Sequence, residues 1–429
     1  MTQRTRRPVD TGEPVAGNGL LDRRSFFRDA ALAAAALGGS AAASAAHAAE
    51  SLAVEDWMIT PGAPFTPYGQ PSRFEAKVVR TVGNPPNAPG TGASRTPLHR
   101  LAGTITPSGL HFERSHNGVP DIDPDAHRLL IHGLVKRPLV FSLEALARYP
   151  METRTAFIEC AGNSGALYAK DPAAGDVQAL FGLVSCAEWT GVPLSTLLDE
   201  AGVLPTARWV LAEGADAAAM SRSVPIEKAM GDALVVLYQN GERVRPSNGY
   251  PLRLLLPGYE GNMNVKWLRR LKLVEQPVMT KDETSKYTLL LDDGKSWQFF
   301  FDMEVKSVIT QPSPGLTLQG AGLYQITGLA WSGAGKIARV EVSADGGKSW
   351  APAALQEPVL PKALTRFRLA WRWDGGPVVL QSRAIDEHGT VQPTRAHQIA
   401  ERGHRALYHF NAIASWAVAP TGALSHVYA

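Results

Sequence analysis

The stretch Phe367-Arg368-Leu369-Ala370-Trp371-Arg372-Trp373 alternates without a break, placing three aromatics and Leu369 on one face of an extended chain. A period of two with bulky apolar side chains on one side fits a strand lying on a core. A helix would repeat its apolar positions every three or four residues. Neighbouring stretches follow the same rule: Leu323 to Trp331 is strand-like, and Ile337 to Ser343 runs into the turn Asp345-Gly346-Gly347. Strands at this spacing with Asp-Gly turns predict an all-β, immunoglobulin-like sandwich over residues 301–429.

Upstream the period is mixed. Arg128 to Gly133, Arg208 to Leu211 and Leu234 to Tyr238 are short apolar runs that read as strands. Ser142 to Tyr149 and Pro193 to Glu200 read as short helices with Ser or Thr near their starts. Residues 111–300 therefore predict an α+β domain. Residues 49–110 are rich in Pro and Gly, with Trp57, Phe65, Tyr68 and Phe74 interspersed. That composition predicts an arm draped over a surface or touching a partner subunit.

Residues 1–48 read as an export signal and are set aside from the fold. Asp22-Arg23-Arg24-Ser25-Phe26-Phe27-Arg28 carries a twin-arginine pair, followed by an Ala/Leu stretch and a small-residue run ending Ala46-His47-Ala48. The pair names the twin-arginine route, which carries folded proteins, and the expected location is the periplasm. A membrane span needs about 20 predominantly apolar residues, and Gly38-Gly39-Ser40 interrupts this run early. Removing 1–48 leaves 37 basic and 36 acidic residues. That balance, with no basic stripe, predicts no nucleic-acid partner, and no further long apolar run predicts a membrane.

Two cysteines among 429 residues are too few for a disulfide scaffold or a four-thiolate zinc site. Neither opens a Cys-x-x-Cys-His, so no c-type haem is expected on this chain. Cys160 ends a strand-like run and is followed by Ala161-Gly162-Asn163-Ser164-Gly165, small residues that suit a tight loop. A thiolate on such a loop is a good single ligand for a soft metal. A Cys160–Cys186 disulfide is the default alternative in an exported protein, and would suit a non-enzymatic binding protein. Taken singly, Arg114 reads as a surface charge, His116 as a core histidine and Tyr287 as a core aromatic. Arg253 and Lys266 read as a solvated strand face.

Taken together, these residues resemble the sulfite oxidase family of molybdenum enzymes. Phe157-Ile158-Glu159-Cys160-Ala161-Gly162-Asn163 matches the family's Phe-x-x-Cys-Ala-Gly-Asn, whose cysteine is the protein ligand to the metal. Arg114-Ser115-His116 with Val119-Pro120 is similar to the segment beside the metal. Asp216, Asn248 with Arg253, and Asn264 with Lys266 match positions that hold the molybdopterin. Tyr287, twenty residues after Trp267, falls where the family places its active-site tyrosine. The run Val340 to Trp350 looks like the signature of the family's dimerisation domain. The resemblance implies a molybdopterin domain followed by that sandwich, with a second copy of the chain as partner. It implies Cys160 as metal ligand, and Arg114 and Tyr287 as catalytic. Ser115, His116, Asp216, Asn248, Arg253, Asn264 and Lys266 would join Cys160 in holding molybdenum-molybdopterin.

One departure bears on substrate. Sulfite oxidases commonly follow this cysteine motif with arginine, whereas Ser164 and Gly165 are neutral here, and Tyr408-His409-Phe410-Asn411 stands where another pocket arginine is frequent. Within the family these features are most similar to the SoxC-type molybdenum subunit of sulfane dehydrogenase. That likeness implies oxidation of sulfane sulfur borne as a persulfidated cysteine on a carrier protein during thiosulfate oxidation. It also implies a dihaem cytochrome c subunit as electron acceptor. A periplasmic sulfite dehydrogenase acting on free sulfite is the alternative.

Overall fold

In the computed structural model, which describes residues 14–21 and 54–429, the two periods become two bodies of sheet. The first holds two five-stranded sheets. One runs in the order Ser221–Pro225, Trp209–Gly214, Leu268–Val274, Leu129–Gly133 and Leu139–Phe141, with Leu268–Val274 parallel to Leu129–Gly133. The other runs Glu242–Arg243, Leu234–Gln239, Val184–Pro193 and Glu152–Glu159, with Arg253–Leu255 also paired to Leu234–Gln239. Leu129, Val210, Val235, Leu254 and Leu271 meet in one core cluster.

Both expected helices form on this core. Leu143–Leu146 starts at Ser142, whose hydroxyl accepts from the Ala145 amide at 3.1 Å. Leu194–Ala201 buries Leu194, Leu197, Leu198 and Ala201 on one face and stops at Gly202, whose φ of 72° is the left-handed C-cap conformation.

The second body is the sandwich. Thr365–Trp373, Gly322–Trp331 and Lys306–Gln311 pair in one sheet, and Ile337–Ser343, Val378–Asp386, Ser415–Val418 and Leu424–Val427 in the other. The alternation holds as read: Phe367, Leu369, Trp371 and Trp373 are buried, while Arg372 is exposed. A helix, Arg395–Arg402, interrupts the expected all-β pattern, capped by the Thr394 hydroxyl.

The two bodies share a core. Phe157, Leu180, Phe181 and Cys186 from the first pack in one cluster with Trp331, Phe410 and Trp416 from the second. At the same junction the buried Glu159 carboxylate accepts from Lys306 Nζ at 2.9 Å and from Trp331 Nε1 at 2.7 Å.

Two readings of the N-terminal region change. Pro14–Leu21, set aside with residues 1–48, is part of the fold: Leu20–Leu21 pairs antiparallel with Thr365–Trp373. The rest of that stretch, including Arg23-Arg24 and the run ending at Ala48, lies outside the described residues. The arm is also shorter than expected. Trp57, Phe65, Tyr68 and Phe74 are exposed, but from Thr81 the chain joins a three-stranded sheet of Thr81–Gly83, Gly92–Arg95 and Glu113–Ser115. Backbone pairing sets this part of the arm beside Glu113–Ser115, whose residues line the cleft described next. Among the described residues no helix is long and apolar enough to cross a membrane.

Candidate active site

A cleft opens where the Glu152–Glu159 strand ends, and all ten residues singled out from the sequence line it. Cys160 sits on a braced loop. Its amide donates to Leu183 O at 2.9 Å, and its carbonyl accepts from the Asn163 amide at 2.8 Å. The Asn163 side chain spans the loop, donating to Glu159 Oε1 at 2.8 Å and accepting from the Leu183 amide at 3.1 Å. Ser164 follows with a left-handed φ of 65°. Gly261 passes directly behind: a Cβ there would stand 2.8 Å from Glu159 O and 3.3 Å from Cys160 Cα. The thiol is partly exposed to the cleft, and burial pushes its pKa up. A soft metal would reverse that by taking the thiolate.

Both cysteines are free, which overturns the Cys160–Cys186 disulfide and with it the basis of the binding-protein alternative. The Cys186 side chain lies in the shared core as a small apolar group.

Beside Cys160 stand Arg114, His116 and Tyr287. His116 Nε2 and Tyr287 Oη are 2.7 Å apart. Burial, then the Arg114 charge, brings His116 down to about 4, and burial lifts Tyr287 well above its usual value. The pair is therefore neutral around pH 7. Arg114 Nη1 donates to Gly92 O at 3.1 Å and to Ser115 O. The Ser115 hydroxyl donates to Gly118 O at 2.7 Å, so its side chain shapes the loop.

The deeper wall is cationic. Arg253 donates to Asn248 O at 2.7 Å and Asn264 O at 3.0 Å. Lys266 Nζ donates to Ser247 O at 2.9 Å and Arg114 O at 3.1 Å. Burial brings Arg253 down to about 9 and Lys266 down to about 7. All these partners are backbone carbonyls, which do not neutralise a charge. Among the described residues, Arg253 Nε, His111 Nε2, Asn248 Oδ1 and both side-chain ends of Asn262 are buried in this wall without a hydrogen-bond partner. Native interiors rarely strand so many polar atoms together. An anionic, hydrogen-bonding group such as a pterin phosphate fits this set. Among the described residues no three His, Cys, Asp or Glu side chains converge as a metal site, so Cys160 is the protein ligand on offer.

Residues 116–281 match the family description "Oxidoreductase molybdopterin binding domain", and residues 297–415 match "Mo-co oxidoreductase dimerisation domain". The crystal structure of the sulfane dehydrogenase SoxCD from Paracoccus pantotrophus superposes with a TM-score of 0.85. The two chains are 46% identical, covering 87% of this chain and 97% of that one. The chain belongs to the sulfite oxidase family. Sulfite oxidase from Gallus gallus is 30% identical over 73% of this chain and 75% of its own. Mitochondrial sulfite oxidase from Rattus norvegicus is 32% identical over 67% of this chain, and the match spans 57% of the rat protein.

In this sulfite oxidase family member, two of the predicted cofactor residues also bond to their own backbone. The Asn264 side chain is spent on the backbone: Oδ1 accepts from Leu256 N at 2.7 Å, and Nδ2 donates to Tyr259 O and Glu260 O. It sets the loop that lines this part of the cleft. Asp216 likewise accepts from its own turn, from Met220 N at 3.3 Å. Several residues around the site had no motif to announce them. His111 and Asn262 bring unpartnered polar atoms to the wall. Tyr408 stacks 5.5 Å from Tyr287, and Arg222 lies 5.2 Å over the Tyr287 ring. Arg222 is held by Glu283 at 2.9 Å and Glu260 at 3.1 Å, and Glu260 also meets His409 at 3.1 Å. Burial would lift the Glu260 carboxyl, but Arg222 and His409 override it and hold it below the usual range. Tyr408 stood in the quoted stretch Tyr408-His409-Phe410-Asn411, whereas only proximity in sequence to quoted motifs could have pointed to His111 and Asn262. The Arg222 network carries no local signal.

Proposed function

We propose that the chain is the molybdenum subunit of a sulfane dehydrogenase, oxidising the outer sulfur of a persulfidated cysteine on a carrier protein. Electrons pass to a dihaem cytochrome c partner. The observation that carries this reading is the neutral wall beside Cys160. Gly165 packs so tightly on the Leu407 carbonyl that a Cβ would stand 2.5 Å from it, and Ser164 is buried. Tyr287 and, beside it, Tyr408 are both protonated at neutral pH, and Arg114 is the cation next to Cys160. A small dianion such as free sulfite needs several fixed charges to offset its desolvation. A persulfide at the end of a cysteine arm carries less charge and suits aromatic walls. The likeness to SoxCD supports the same reading.

When bound, the molybdenum cofactor supplies the two-electron acceptor. Cys160 holds it, and Arg253, Lys266, His111, Asn248 and Asn262 offer donors and acceptors to its pterin and phosphate. Arg114 and Tyr287 orient the substrate sulfur. The contact between His116 Nε2 and the Tyr287 oxygen holds the phenol in place beside the substrate position. The dimerisation-domain match supports a homodimer, and Arg23-Arg24 supports export to the periplasm by the twin-arginine route.

A direct substrate comparison tests this. The molybdenum-loaded chain with its cytochrome should turn over a persulfidated carrier and act poorly on sulfite. Vigorous oxidation of free sulfite, with cytochrome c and this chain alone, would establish the sulfite dehydrogenase alternative instead.

A further inference from the structure

Residues 14–21 occupy a fitted seat on the sandwich. Pro14–Ala16 pairs antiparallel with Leu20–Leu21 around the turn Gly17–Gly19. Leu20 then lies opposite Trp371, and Leu21 opposite Ala370. The short strand Ala354–Leu355 covers the neighbouring part of the same edge, opposite Arg368 and Phe367, so the segment continues the edge where that strand stops. Leu20 and Leu21 are 0% and 2% exposed.

Side chains of the sandwich lock the turn. The Gly17 amide donates to Ser349 Oγ at 2.7 Å, and Asn18 Nδ2 donates to Ala344 O at 2.7 Å. Trp371 Nε1 donates to Asn18 O at 2.9 Å. The sequence Gly-Asn-Gly is what the seat requires. A Cβ at Gly17 would stand 2.3 Å from Asp345 Oδ2, and one at Gly19 would stand 2.0 Å from Arg372 O. Asn18 and Gly19 have left-handed φ values of 56° and 83°, which suit Asn and Gly. A charged leader needs neither these glycines nor two buried leucines.

We infer that this edge of the sandwich is a binding site for the chain's own leader, and that docking there holds the export signal back. The inference rests on the export reading proposed above. Leu21 is two residues before Arg23. A receptor that grips the arginine pair with its flanking chain competes with the sandwich for adjoining residues, so the docked fraction is withheld from it. The seat exists only when the sandwich is folded, which couples the holding contact to folding of that domain.

Hydrogen exchange on the full-length chain tests the contact. Amides of residues 17–21 should exchange at least about tenfold more slowly than in the free peptide. Gly17→Val with Gly19→Val should bring them to the free-peptide rate while Val378–Asp386 stays protected. In pulse-labelled cells the double variant should leave the cytoplasm several-fold faster than the unaltered chain. Ser349→Ala, which leaves the leader untouched, should act in the same direction with a smaller effect. Free-peptide exchange in the unaltered chain, or export of both variants no faster than normal, would overturn the inference. Arg23→Lys with Arg24→Lys checks the export reading separately: unchanged export would sink that reading and leave the exchange result standing.

Discussion

Cys160 is held by its neighbours more than by its own side chain. Asn163, Leu183 and Gly261 fix its backbone from three sides. Cys160→Ser should therefore leave the fold intact while molybdenum content collapses and activity falls by more than about 100-fold. Metal analysis beside circular dichroism checks both halves. Gly165→Ala should press on the Leu407 carbonyl and displace Tyr408, costing about 1–3 kcal/mol of stability by overpacking. Thermal unfolding would register it, and KM for carrier should rise. The cleft residues were legible because they stood in short contiguous motifs or, for Tyr287, at a fixed spacing from one. Glu260 and Arg222 were not, because Arg222 meets Glu260, and Glu260 meets His409, across separations of 38 and 149 residues that no spacing rule covers.

At the scale of elements, the Glu152–Glu159 strand joins the two bodies through one buried ion pair. Lys306 is 1% exposed and Glu159 0%. Lys306→Met alone should strand a buried carboxylate and cost about 3–5 kcal/mol. Adding Glu159→Gln should recover much of that loss in a double-mutant cycle by urea unfolding. The strands themselves were readable, since Leu129–Gly133, Leu234–Gln239 and Thr365–Trp373 carry their apolar residues in runs or in strict alternation. The docked leader was not. Leu20–Leu21 is two residues long, too short to show a period, and its partner strand lies some 350 positions away. The arm's aromatics Phe65 and Phe74 face solvent in the single chain, which leaves the partner-subunit contact of the sequence reading as their expected cover.

At the scale of the molecule, a shared core means that the two bodies have no separate stability. Phe157, Phe181 and Trp331 belong to one apolar cluster. Unfolding followed by tryptophan fluorescence in the sandwich and by labelling of Cys160 should give coincident, single transitions. Distinct midpoints would refute a common core.

The buried histidine His111 adds a pH dependence to the whole. Burial brings it down to about 3, so between pH 6.5 and 3 the unfolded chain holds a proton that the folded one does not. Stability should fall on acidification through that window, by up to about 1.4 kcal/mol per pH unit from this group alone. His111→Gln should flatten the slope in urea titrations of the cofactor-free protein.

Arg253 and Lys266 lean on carbonyls in a wall that offers them no ion pair, and this has a consequence for the life of the protein in the cell. Anything anionic that settles there neutralises charge the interior already contains. It binds the native chain and not the unfolded one, and so deepens the native well in proportion to its occupancy. Cofactor supply would then govern abundance as well as activity. Cells starved of molybdenum cofactor should contain less of this protein, and a protease should find the unloaded chain first.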